Sequence, residues 1–97
     1  MKIELYHRFI IQLNAQVDFI ARDKPSAARR FKTGILKQVY ALGSKPFANR
    51  NSIYFPQSEK HRDLVYKGYK VIYRVEVDID TVFIIGLVNM QQGSAEE

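Results

Sequence analysis

The sequence predicts an α+β domain of order β-α-α-β-β-β, in which a helical hairpin packs on one face of a mainly antiparallel sheet. Three observations lead there. Apolar residues recur at helical spacing in two stretches separated only by Asp23-Lys24-Pro25-Ser26. Beyond residue 60, β-branched and aromatic residues dominate two runs that meet at Gly68, and a third run follows an acidic break. The first residues alternate, with Ile3 and Leu5 on one face and Glu4 and Tyr6 on the other, as a short half-buried strand requires.

The first helix is predicted over about Arg8 to Arg22, with Phe9 or Ile10, Leu13, Val17 and Ile20 or Ala21 in its stripe. Arg8, Gln12, Gln16, Asp18 and Arg22 fall largely off that stripe. The second runs from Pro25, suited to a first helical turn because it lacks an N–H, to Leu42. Its stripe is Ala28, Phe31, Ile35, Val39 and Leu42. Gly34 suits close packing, the approach of a ligand or a neutral surface position, and Gly43 is placed as a C-terminal cap with Pro46 beyond it. The break between the helices is short enough to make them antiparallel.

Lys45 to Lys60 reads as a loop containing one apolar island, Ile53-Tyr54-Phe55, a candidate edge strand ended by Pro56. In the next runs, a period of two puts Tyr69, Val71, Tyr73 and Val75 on a core face. Lys70, Ile72, Arg74 and Glu76 share the other, polar face, open to a partner. Val82 to Val88 forms the last strand. Leu13, Val17, Ile20, Phe31, Ile35, Val39, Val71, Tyr73, Val82 and Ile84 are expected to be buried. Residues 1–92 are expected to form a single domain, with 93–97 as a flexible acidic tail.

Charge divides the chain unevenly. Lys24 to Arg74 hold twelve basic side chains against Glu59 and Asp63, a net of +10, whereas residues 75–97 hold five acids and no base. Such a middle attracts anionic partners, either nucleic acid or an acidic protein segment. No apolar run approaches the roughly 20 residues needed to span a bilayer, and the N-terminus carries charges where a signal peptide needs an apolar core. The expectation is a cytoplasmic protein with no membrane partner.

Catalytic constellations are sparse. There are no cysteines, and His7 and His61 have no partner at a metal-ligand spacing, so no metal site and no cofactor is expected. Phosphate-binding glycine loops and serine-nucleophile motifs are absent, and nothing points to a small-molecule substrate. A metal-free ribonuclease needs a base, an acid and cations around the phosphorane. Glu59, His61, Arg62, Lys67 and the tyrosines supply parts of that set. The last strand supplies none, because the chain after Arg74 has no Lys, Arg, His or Tyr.

Together, the element order and several motifs resemble the ParE/RelE toxin superfamily of bacterial type II toxin–antitoxin modules. Ala15-Gln16-Val17-Asp18-Phe19-Ile20-Ala21 looks like the family's first helix. Lys24-Pro25-Ser26-Ala27-Ala28-Arg29-Arg30-Phe31 resembles its Asn-Pro-x-Ala-Ala-x-x-Phe opening of the second, with lysine for asparagine. Leu42, Pro46 and Asn49-Arg50 are similar to its Leu-x-x-x-Pro…Gly-Arg connection. The most specific match is Gly68-Tyr69-Lys70-Val71-Ile72-Tyr73-Arg74-Val75, which looks like the family's Gly-Tyr-Arg-Val-x-Tyr-x-Val strand.

The resemblance implies a growth-arresting toxin neutralised by an acidic antitoxin. RelE-like members cut messenger RNA on the ribosome with basic residues and a His, Arg or Tyr near the C-terminus, whereas ParE-like members poison DNA gyrase. Here Leu87-Val88-Asn89-Met90-Gln91-Gln92 occupies the place of those groups, which favours a non-enzymatic ParE-like gyrase inhibitor. A RelE-like nuclease and a non-toxic module that binds an antitoxin or nucleic acid remain the alternatives. No catalytic residue is assigned. The candidates for contact with target or partner are Arg29, Arg30, Arg62, Lys67, Lys70, Arg74, Asn89, Met90 and Gln91.

Overall fold

The computed structural model describes residues 1–91; the expected tail at 93–97 lies outside them. Strand β1 (Lys2–Leu5) leads into helix α1 (His7–Ala21), which turns back as α2 (Pro25–Ala41). After a long loop come β2 (His61–Tyr66), β3 (Tyr69–Glu76) and β4 (Thr81–Asn89), the last two joined through a 3-10 turn at Val77–Ile79. The sheet order is β1-β4-β3-β2. β2, β3 and β4 form the antiparallel meander, and β1 lies parallel to β4, so the sheet is mixed. β4 and β3 are the two inner strands, and β4 is the most continuously apolar.

Phe9, Leu13, Phe31, Ile35, Val39 and Leu42 of the hairpin meet Leu64, Tyr69, Val71, Tyr73, Val75, Val82, Ile84 and Leu87 of the sheet in one core. Val17 and Ile20, expected to be buried, are only partly so. They flank that core, in the half of α1 that leads to the exposed interhelical turn. Gln12 and Gln16, expected to lie off the packed stripe, instead reach the sheet. Gln12 Oε1 accepts the Leu87 N–H at 2.8 Å, and Gln16 Oε1 accepts from the Tyr69 hydroxyl at 3.0 Å. A β-bulge opposite Ile72/Tyr73 interrupts the β3–β4 register just before Leu87. Replacing Gln12 by leucine would strand that amide, and the expected loss is about 1–3 kcal/mol, read from urea unfolding.

Ile53-Tyr54-Phe55 is not an edge strand. Only Asn51 forms a bridge, to Arg62 of β2. Ser52 N–H still donates to the His61 carbonyl at 2.8 Å, but the two amides after it are taken by side chains, Ile53 N–H by Asp63 Oδ2 at 3.1 Å and Tyr54 N–H by Ser52 Oγ at 3.2 Å. Local side-chain acceptors thereby replace a ladder, and the segment turns over the sheet face away from the helices. Ile72, expected on an open polar face, is buried beside Asp63, its cross-strand neighbour.

Both interior glycines of the helical layer serve close approach. A Cβ on Gly34 would collide with the Tyr66 hydroxyl, so this glycine lets α2 lie close against that side chain. One on Gly43 would lie 2.6 Å from the Met1 carbonyl oxygen, while its backbone is not left-handed, so Gly43 is not the helix cap the sequence suggested. Lys67 (φ 46°) and Gly68 (φ 83°) both have positive φ, as the two-residue hairpin between Tyr66 and Tyr69 requires.

Candidate partner interface

The nine candidate residues do not form one site. Four gather at the end of the sheet where the β2–β3 hairpin turns. Lys67 is in that turn, the Met90 N–H donates to the Gly68 carbonyl at 3.0 Å, and Asn89 stands opposite Tyr69. Gln91 packs against Gly68, where its side chain would meet any added Cβ, and its N–H donates to Asn89 Oδ1 at 2.9 Å. Asn89 Nδ2 in turn donates to Gln16 Oε1 at 3.2 Å. α2 begins beside the same end, since Phe31 rests on Tyr69 (ring centroids 4.8 Å apart) and Tyr66 (6.1 Å). Arg29 and Arg30 are exposed there.

Lys70 and Arg74 lie on the sheet face that the helices leave uncovered. Lys70 Nζ sits 5.7 Å from the Tyr54 ring. Arg74 lies 4.6 Å over Phe83 and donates to Glu76 at 2.8 Å and to the Tyr6 hydroxyl at 3.2 Å. Phe83, Val88 and the exposed Val65, Tyr54 and Met90 make this face substantially apolar. Arg62 points the other way and is occupied. It donates to the Asn49 carbonyl at 2.9 Å and lies 5.0 Å from the Phe47 ring, holding the loop after α2. A hollow of about 400 Å³ beside it is lined by Lys60 as well as Glu59, Glu76 and Asp78, a mixture of signs with no strong preference for a charged ligand.

The groups that could have served a nuclease are dispersed. His61 begins β2, whereas Lys67 follows its end, a separation of roughly 17–20 Å along a six-residue strand. Of the tyrosines, Tyr69 and Tyr73 are buried in the core. Tyr73 is fully buried, donating to the Pro46 carbonyl at 2.9 Å and accepting from Asn49 at 3.0 Å. Burial pushes both the Tyr73 and Tyr69 phenols above the ordinary tyrosine range. Among the described residues, no three His, Asp or Glu side chains are grouped to hold a metal.

His61 stacks on Phe55, with centroids 4.0 Å apart, and its Nδ1 lies 2.7 Å from Ser58 Oγ. That oxygen already accepts the N–H groups of Lys60 and His61, so its own proton goes to Nδ1, which must be unprotonated. Burial, then the nearby Arg74 and Lys60 charges, hold the imidazole below its usual value, with Glu76 opposing them. The unfolded chain therefore binds more protons, and stability should fall as pH drops below about 6.5 towards the folded-state value. Glu76, lowered mainly by its hydrogen bond from Lys60 and also by Arg74, loses its contribution only below 4.5. The difference in thermal midpoint between the wild type and His61→Phe should change as pH falls from about 6.5 towards 4.5, within the His61 window and above that of Glu76. Parallel curves there would remove His61 from the account.

Comparison with known proteins decides the family. The profile for "ParE toxin of type II toxin-antitoxin system, parDE" matches residues 3–92. The chain belongs to the ParE toxin family. Ten solved chains match this one significantly. One, from the "Chromosomal ParDE TA system from P. aeruginosa", superposes with a TM-score of 0.75 at 19% identity, covering 92% of this chain and 95% of that one. At that identity the likeness establishes the fold of two helices on a four-stranded mixed sheet. No curated protein sequence matches this ParE-family chain significantly. Gln12 and Gln16 are the residues near the site that sequence reasoning missed. A helical wheel carries no signal for them, because a long amide can reach the sheet from the flank of a stripe.

Proposed function

We propose that this ParE-family toxin is a non-enzymatic poison of DNA gyrase, held inactive in the cytoplasm by an acidic antitoxin. The observation that carries the reading is the composition of the β4 end. Asn89, Met90 and Gln91 occupy it, the turn residue Lys67 stands beside them, and the imidazole of His61 lies at the opposite end of β2. Such a site can bind but has no base and acid paired across a phosphate. Poisoning needs no chemistry from the toxin. It requires only tighter binding to the gyrase state in which DNA is already cut, which raises the population of that state.

The antitoxin is assigned to the sheet face opposite the helices. That face offers both things an acidic segment that folds on binding needs: apolar surface to cover, at Phe83, Val88, Val65 and Tyr54, and cations at its margin, Lys70 and Lys67. The deciding experiment combines purified chain, supercoiled plasmid and gyrase. Linear DNA is expected only when all three are present, and prior addition of the antitoxin should suppress it. Codon-positioned cuts in ribosome-bound messenger RNA, with gyrase unaffected, would instead establish the RelE-like activity.

A further inference from the structure

Helix α2 carries a surface that neither the proposed antitoxin face nor the β4 end uses. From Lys24 to Ser58 the chain contains seven basic residues and no Asp or Glu. Four of them, Arg29, Arg30, Lys32 and Lys37, project from α2 and are exposed. None is paired: the ion pairs among the described residues are Lys2–Glu4, Lys60–Glu76 and Arg74–Glu76. Lys24 before the helix and Lys45 and Arg50 after it are exposed and unpaired as well. Holding so many like charges together without counter-charges is unfavourable for the free protein, and an anionic partner would relieve it.

The floor between these cations identifies the partner's chemistry. Ser26, Thr33 and Gln38 are the other exposed polar residues of α2, and the only large apolar side chain exposed on it is Tyr40, near the C-terminal end. An acidic peptide that must fold on docking needs apolar surface to offset its ordering, and this face has almost none. A phosphate backbone needs only cations, hydroxyls and amides. Arg30 to Lys37 span about 10 Å of helix, an axial length over which one DNA strand presents about three phosphates.

We infer that the exposed face of α2 binds the phosphate backbone of duplex DNA without reading its sequence. This deepens the gyrase reading, since gyrase works on a bound duplex, but DNA binding can be measured without gyrase. The probe is a fluorescently labelled duplex of about 20 base pairs, prepared in two unrelated sequences and titrated by anisotropy between about 50 and 200 mM salt. Both sequences should bind alike, with a log–log salt slope of about −3 to −4 for three or four phosphate contacts. A variant combining Arg29→Ala, Arg30→Ala, Lys32→Ala and Lys37→Ala should lose more than about tenfold in affinity and most of that slope, with its thermal midpoint nearly unchanged. Lys2→Ala with Lys60→Ala, which removes cations paired elsewhere, should bind as the wild type does.

Undiminished DNA binding by the fourfold variant would overturn the inference. So would a polyglutamate peptide that binds the wild type as tightly as the duplex and loses affinity equally in the variant, for the face would then fit an acidic protein. Normal DNA binding without plasmid linearisation by gyrase leaves this inference standing and defeats the gyrase reading. Linearisation by a chain that does not bind duplex alone does the reverse.

Discussion

Phe31→Ala is expected to lower the free energy of unfolding by about 3–5 kcal/mol. The ring is buried, and it touches Tyr69 and Tyr66, the two residues flanking the β2–β3 turn. Its removal forfeits the transfer of a large apolar group and leaves a cavity between α2 and a sheet that cannot easily collapse onto it. The surrounding geometry makes relaxation harder. Gly34, one turn further along α2, already lets the helix approach Tyr66 as closely as that hydroxyl permits. Val17→Ala, at a partly buried position beside the same core, should cost much less. Chemical denaturation of both variants checks the contrast, and equal losses would mean that the aromatic cluster is not the anchor of the hairpin.

The second large effect is kinetic. Association with the antitoxin should slow by one to two orders of magnitude, roughly, between low and high salt, with a much smaller change in the dissociation rate. The motive is the net +10 between Lys24 and Arg74, most of it on exposed or half-exposed side chains. Long-range attraction of this kind accelerates encounter and is screened once the Debye length falls below the separation of the charges. Dissociation would instead break short-range contacts on the apolar sheet face proposed for the antitoxin, which salt screens little. Stopped-flow mixing across a salt series measures both rates. An association rate indifferent to salt would eliminate electrostatic steering.

The helices and the meander were legible in local pattern. Their apolar positions recur at 3.6 and 2.0 residues, and Pro25 and Gly68 mark places where only certain backbone angles fit. Helix ends came within one residue, and three C-terminal strands formed where the runs of β-branched and aromatic residues lie. Within the loop, which the sequence does mark, the island Ile53-Tyr54-Phe55 suggests an edge strand because it has strand composition. Nothing local announces that Asp63 and Ser52 will capture the amides a strand would have paired. For the same reason, residues close in one motif separated in space. Lys70 and Arg74 share a face, Arg62 turns to the opposite one to hold Asn49, and Lys67 joins Asn89 and Gln91 only because β4 returns beside the hairpin.

The class of fold, the core face of β3, the basic middle segment and the lack of basic or aromatic catalytic groups in the last strand can be read along the chain, because each is a property of residue type and spacing. It takes the folded chain to show that β1 lies parallel to β4, that Gln12 and Gln16 serve the sheet rather than solvent, and that α2 presents unpaired cations over a polar floor while the far sheet face presents apolar surface. These depend on which distant groups are brought within hydrogen-bonding or ion-pairing reach, and that reach is set by packing across the whole core rather than by any neighbour in sequence.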